Sequence, residues 1–289
     1  MNISKTKNYG ILYIIPTPIG NLDDISYRAI KTLKNVHLIA VENIFHAKIL
    51  LQYYNINTKI ITFNKNNEIV KSKQLILILQ QNKNIALISN AGTPLINDPG
   101  NYLIKMCCNH SIIITPIPGP CAAITALIAS NLSTHRFCYE GYLPSTETQR
   151  YKVLKNIKTE ERTIIFYETT HRIIKSIKNI IEILGKNRNI ALVKELTKKW
   201  ETIKRDTSYN ILTWLKTNNS HQKGEFTIII SGYKKENTSL IPNSALKTLQ
   251  ILQLCLPLST AIKHTAKIHK LSKNFLYNNV INQKIKINK

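Results

Sequence analysis

A chain of 289 residues with 40 Lys and Arg against 16 Asp and Glu carries a formal charge of +24. It is long enough for two domains and a small third one, and a balance this basic points to a polyanionic partner, nucleic acid first. Abundant Ile, Lys and Asn beside only 9 Gly is also what A+T-rich codons produce, so part of the lysine excess is open to a purely compositional reading. The 5 cysteines, with Cys107 and Cys108 adjacent and no C-x-x-C spacing, exclude a zinc ribbon and a disulfide scaffold and predict reduced thiols in a cytosolic protein.

In chain order, an apolar strand over Ile11–Ile15 runs into the loop Pro16-Thr17-Pro18-Ile19-Gly20-Asn21-Leu22. Helical spacing follows over Ile25–Leu33, Phe45–Tyr54 and Glu68–Gln81, with short strands at Val36–Val41 and Ile60–Phe63. The run Ile85-Ala86-Leu87-Ile88 is a buried strand ending in S-N-A-G-T-P-L-I-N-D-P-G over Ser89–Gly100. A helix over Tyr102–Cys108, a strand over Ile112–Ile114, the loop Pro116–Cys121 and a helix over Ala122–Ser130 complete this half. The alternation predicts an α/β domain over residues 1–132, with a mostly parallel sheet covered on both faces. Prolines and Gly119 break the apolar stretch Ile112–Leu132, so it reads as strand, loop and helix rather than a membrane span. The first ten residues lack the apolar core of a signal peptide, and the expectation is a cytoplasmic protein without a membrane partner.

From Phe137 the rhythm changes. Strands are predicted at Phe137–Tyr142, Thr163–Tyr167, Ile190–Leu196 and Phe226–Ser231, with helices at Thr148–Ile157, His171–Leu184 and Tyr209–Lys216. This is a second α/β domain, residues 133–232, with a more mixed sheet. Residues 233–243 are polar and unpatterned, a linker. A small helical domain, 244–289, follows, with helices at Ser244–Leu254, Ser259–His269 and Ser272–Ile281. Ser259 and Ser272 stand where N-caps belong, and Pro257 stops the first helix. The three resemble a helix-turn-helix and carry Lys263, Lys267, Lys270 and Lys273, which fits either an RNA-contacting module or a solvated bundle.

Three strands of the first half end in Pro/Gly loops, and this convergence points to one ligand site at the carboxyl ends of a sheet. Gly92 has no Cβ to hold a ligand away from the backbone.

L-Y-I-I-P-T-P-I-G-N-L-D-D-I at Leu12–Ile25 resembles the tetrapyrrole-methylase superfamily, nearest to its bacterial branch that methylates small-subunit ribosomal RNA. The resemblance continues in order through V-E-N-I-F-H (Val41–His46), the Ser89–Gly100 loop, P-G-P-C-A-A-I-T-A-L (Pro118–Leu127) and R-F-C-Y-E-G-Y-L-P (Arg136–Pro144). It ends with F-Y-E-T-T-H-R (Phe166–Arg172), E-L-T-K-K-W-E (Glu195–Glu201) and K-G-E (Lys223–Glu225). It implies a cleft between two α/β domains that binds S-adenosylmethionine, usually in a homodimer, and 2′-O-methylation of a decoding-site cytidine in 16S rRNA of the small ribosomal subunit. The residues expected around the cofactor are Pro16, Gly20, Asn90, Ala91, Gly92, Thr93, Pro94, Ile96, Cys121, Ala122 and Tyr167.

The chain departs from the family pattern. Where the family usually reads E-D-T-R-H, this chain has Glu42-Asn43-Ile44-Phe45-His46, and where it reads S-D-A-G-T-P, this chain has Asn90. Asparagine keeps an acceptor oxygen but cannot take a proton. Asp98, Glu140, Glu168 and Glu225 also remain in matched blocks, but Glu42 and Glu195, near strand ends, are the candidate general bases, each equally readable as an ion-pair or N-cap partner. His46 is a third candidate, with helix packing as its alternative. His171-Arg172 fits phosphate binding, or Arg172 pairs with Glu168 across one turn. A small-molecule tetrapyrrole methyltransferase and a non-catalytic RNA-binding homologue stand as the alternative functions.

Overall fold

The computed structural model describes residues 8–234 and 241–287, residues 281–287 by their backbone alone. Strands β1 (Leu12–Ile14), β2 (Leu38–Val41), β3 (Ile60–Thr62), β4 (Ile85–Ile88) and β5 (Ile114–Pro116) form one parallel sheet in the order β3-β2-β4-β1-β5. Its residues feed two cores in alternation. Ile85 and Leu87 of β4 join Leu12, Leu75 and Leu103 on one face, while Ala86 and Ile88 join Ile15, Leu33 and Leu51 on the other. That is why β4 reads as an unbroken apolar run. Helices α1 (Tyr27–Asn35), α2 (Ile44–Tyr53), α3 (Glu68–Gln80) and α4 (Asn101–Asn109) connect the strands.

Two boundaries differ from the sequence reading for identifiable reasons. Helix α1 starts later than expected because Ser26 is its N-cap, the hydroxyl accepting from the Ala29 amide at 3.1 Å. Strand β5 starts at Ile114 because Ser111 and Ile112 still belong to the end of α4. Ser111 is left-handed at φ 54, its amide donates to the Cys108 carbonyl, and the Ile112 amide donates to Cys107. This is a Schellman close with serine where glycine is usual, and Ile112 is buried as its apolar contact.

The second sheet is mixed. Strands β6 (Phe137–Tyr142), β7 (Thr163–Thr169), β8 (Asn189–Lys194), β9 (Thr202–Thr207) and β10 (Glu225–Ile230) lie in the order β6-β7-β10-β8-β9. Only β6 and β7 pair in parallel. The pattern Thr-Ile-Lys-Arg-Asp-Thr of β9 gave no strand signal, since it is a half-buried edge and charged edges discourage further pairing. One face packs on α6 (Glu147–Asn156), α7 (Ile173–Leu184) and α8 (Ser208–Thr217) through Phe166, Ile177 and Leu215. The other face is closed by α5 (Ala122–Ile128), whose Ala123, Ala126 and Leu127 meet Ile165, Ala191 and Ile229. Both sheets thus belong to one compact unit that runs to Tyr233.

Residues from Lys234 form a second unit. Helices α9 (Asn243–Gln253), α10 (Leu258–Ile268) and α11 (Lys273–Ile287) close on Leu249, Ala261, Ile262 and Leu276. Ser272 caps α11, accepting from the Phe275 amide at 3.4 Å. Ser259 does not cap α10: Pro257 holds that position and Ser259 lies in the first turn. Among the described residues no helix is long and apolar enough to cross a membrane.

Candidate active site

The loops leaving β1, β4 and β5 are braced against one another. Thr17 and Gly92 exchange backbone hydrogen bonds, both 2.9 Å. The Thr17 hydroxyl donates to the Ser89 carbonyl at 3.2 Å, the Ser89 hydroxyl to the Gly92 carbonyl at 3.0 Å, and Thr93 Oγ1 to the Pro120 carbonyl at 2.9 Å. Gly119 lies so close to Pro16 that an added Cβ would stand 2.8 Å from the proline Cβ. Gly92 itself is left-handed at φ +76.

These loops floor a cavity of about 790 Å³ whose opposite wall comes from the second sheet and its loops. Of the residues expected around a cofactor, Asn90, Ala91, Gly92, Thr93, Ile96, Cys121, Ala122 and Tyr167 line it, as does Glu42. Pro16, Gly20 and Pro94 do not. Pro16 packs under Gly119, Gly20 abuts Leu196–Lys198, and Pro94 is buried. His46 is exposed in the first turn of α2 and is not among the lining residues. Asn43 is the N-cap of that helix, its Oδ1 accepting from the Phe45 amide at 2.8 Å. Its oxygen does there what an aspartate oxygen would do.

Glu195 also stands outside the lining. It follows β8 at φ 51 and accepts from the Glu225 amide at 2.9 Å and from Lys198 Nζ at 3.0 Å. Burial pushes its carboxyl upward, but the Glu225 amide and Lys198 more than reverse this and hold it below the ordinary glutamate range. A carboxylate so satisfied is a weak base, and the ion-pair alternative describes what it does. Arg172 likewise pairs with Glu168 at 2.8 Å, and Ser176 donates to the same buried carboxylate at 2.5 Å. The guanidinium is engaged, as the one-turn pairing anticipated.

The cavity brings together residues that lie far apart in the chain. Asp98 and Lys65 line it beside Glu42. Burial, then the Glu42 charge, push the Asp98 carboxyl up to about 6, with Ser89 and Lys65 pulling the other way. Tyr142 and Tyr139 meet the Tyr167 ring edge-on at 5.6 and 5.1 Å. Tyr167 Oη accepts from the Ala123 amide at 3.0 Å, and burial pushes its phenol up to about 12. Asp98 stands in the matched loop, but nothing in the order of residues places it against Glu42. Lys65 sits in an asparagine-rich turn that carries no signal of its own.

The arrangement is a roomy cleft with aromatic and acidic walls, suited to a cationic small molecule, with one carboxylate poised to exchange a proton near neutrality. The profile of Tetrapyrrole (Corrin/Porphyrin) Methylases matches residues 11–212. A Buchnera aphidicola (subsp. Baizongia pistaciae) protein named ribosomal RNA small subunit methyltransferase I is 63% identical over 288 residues, covering 100% of this chain and 99% of that protein. Its namesake in Escherichia coli O157:H7 is 46% identical over 280 residues, covering 97% and 98%. Among solved structures, uroporphyrin-III-C-methyltransferase from Thermus thermophilus superposes with a TM-score of 0.55 at 14% identity, covering 77% of this chain and 94% of that one. A diphthine synthase gives 0.58 at 13%, covering 77% and 90%. Those two share the fold, and the profile spans the first sheet, the three braced loops and the second sheet as far as β9, short of β10: the chain belongs to the tetrapyrrole (corrin/porphyrin) methylase family.

Proposed function

We propose that this chain is an S-adenosylmethionine-dependent methyltransferase of small-subunit ribosomal RNA, and that its acceptor is the ribose 2′-oxygen of a decoding-site cytidine in 16S rRNA. The observation that carries this is end-to-end likeness to proteins named for that RNA, in a chain whose charge is +24. The cleft fits the donor: its volume lies within the range of small-molecule sites, and Tyr142, Tyr167, Asp98 and Glu42 offer π faces and negative charge to a cation. When bound, S-adenosylmethionine supplies a methyl group already activated on sulfur. The protein's work is then to align an acceptor and take its proton. In this reading Asp98 is the proton acceptor, kept basic by its burial and then by the neighbouring Glu42 charge. The donor is cradled by the Asn90–Thr93 loop and the Cys121-Ala122 turn. A homodimer acting in the cytoplasm belongs to the same proposal.

The test is transfer from labelled S-adenosylmethionine to small ribosomal subunits from cells lacking the protein, followed by mapping of the 2′-O-methyl. Absence of transfer, or label on a base, sinks the reading. Asn43 keeps its capping role without an acid, and Asn90 is an exposed lining residue. Asn90→Asp is therefore expected to change the transfer rate by less than about tenfold, about 1.4 kcal/mol of barrier.

The C-terminal helices are a compact unit with their own core. Deleting residues 234–289 is expected to weaken RNA binding and flatten its salt dependence, because fewer phosphates are neutralised. Affinity for S-adenosylmethionine, measured by calorimetry, should be nearly unchanged. Equal RNA affinity with and without the tail would assign it a purely structural role.

A further inference from the structure

The loop between β8 and β9 holds a tryptophan out to water and is built to keep it there. It leaves the cleft wall at Leu196 and makes two left-handed residues, Glu195 at φ 51 and Thr197 at φ 65. It is then fastened from within. The Lys198 amide donates to the Glu195 carbonyl and the Glu201 amide to the Lys198 carbonyl, both at 3.0 Å. The Thr197 amide donates to Glu201 Oε2 at 2.6 Å. Lys198 Nζ ties the loop to Glu195 and Glu225 at 3.0 and 2.7 Å. On the first-sheet side, Gly20 presses against Leu196–Lys198. At the end of this braced loop Trp200 is 67% exposed.

Large aromatics ordinarily bury most of their surface, and the other tryptophan does so: Trp214 stacks on His221 with ring centroids 4.1 Å apart. Trp200 has instead the Lys199 ammonium 5.3 Å from its ring centroid. Among the described residues Lys199 has no carboxylate within salt-bridge distance. Trp200 follows Leu196 by four residues, so its Cα lies within roughly 14 Å of the Leu196 Cα on the cleft wall. A rigid, exposed indole paired with an uncommitted cation is the pairing that unstacked nucleotides use, base on ring and phosphate on charge.

We infer that Trp200, with Lys199, is a stacking platform for a nucleobase that flanks the target nucleotide in the RNA substrate. This rests on the rRNA-methylating reading above. It assigns Trp200 a binding and positioning role outside the donor site and outside the proton transfer. Protein–protein contact is the less favoured reading, because the cation against the indole is Lys199, whereas Lys198 and Lys204 are already paired with carboxylates.

The chain has two tryptophans, so Trp214→Phe leaves Trp200 as the sole indole reporter. Titrating that variant with 16S rRNA should quench its emission and shield it from iodide. In the otherwise natural chain, Trp200→Ala should raise KM for small subunits about tenfold, while kcat changes by less than about twofold and S-adenosylmethionine affinity holds. Trp200→Phe should recover most of the loss, which a misfolded loop would not allow. Unchanged KM in Trp200→Ala with no quenching overturns the inference. A change of oligomeric state in Trp200→Ala also overturns it, by making the indole a contact between copies. If the natural chain transfers no methyl to subunits, the functional reading fails on its own, and the quenching titration still decides whether Trp200 meets RNA.

Discussion

Gly92→Val is expected to abolish measurable S-adenosylmethionine binding by calorimetry, and Gly92→Ala to weaken it less. The backbone at Gly92 is left-handed, φ +76, where a β-branched residue is a true outlier and any side chain costs roughly 1–3 kcal/mol. An added Cβ would also stand 3.2 Å from Ile19 Cγ2, itself a cleft residue. The Gly92 amide and carbonyl are both committed to Thr17, so relief by rotating the peptide breaks the bridge between two cofactor loops. The sequence alone points to this glycine through the ligand's need for space. The structure adds a second cause, the strained turn that locks the loops. Undiminished affinity in the valine variant would show that neither matters.

Asp98→Asn is expected to lower methyl transfer by about 10²-fold or more, the scale of a lost general base, while making the fold more stable at neutral pH. The two effects share one origin. The Asp98 pKa stands at about 6 in the fold against an ordinary 3.8, so the folded state disfavours its charge. Below about pH 4 the group is protonated whether folded or unfolded and contributes nothing. Between about pH 4 and 6 a destabilising contribution grows as the unfolded chain ionises first, and above about 6 it is fully present. Replacing the carboxyl by an amide removes it. Thermal melts should therefore show a higher Tm for the variant at pH 8 and no difference at pH 4. In the natural chain the transfer rate should climb through about pH 6 as the carboxylate form appears, and in the variant that limb should vanish. A variant with full activity would return the proton to solvent or to another group.

The parts of this molecule legible in the sequence are those where one local cause acts alone. β4 announces itself because both its faces are buried, and the loop after it because Gly and Pro are needed wherever backbones cross closely. β9 is silent because an edge strand is held by its ladder to β8 rather than by its side chains. Ile112 looks like the start of a strand because burial is the same for a strand residue and for the apolar plug of a helix close. Asp98 was visible as an acid in a matched loop, but its proximity to Glu42 and Lys65 is a product of strand order, which a linear reading does not carry. Glu195 had the right address, a strand end, and the wrong chemistry, since the amide and ammonium that satisfy it come from residues 30 positions and 3 positions away.

Helix α5 begins in the cleft with Ala122 and spends its remaining length against the second sheet, with the Ala123 amide bonded to Tyr167. It is seven residues long and contains no charged side chain. Such a helix is a strut between floor and wall: neither sheet can swing away without dragging the floor of the cleft with it. A molecule bound there is gripped from both sides through one rigid piece. Its arrival should slow amide exchange in β7 as well as in the loops it touches, and the two halves of the methylase should open and melt as a single body.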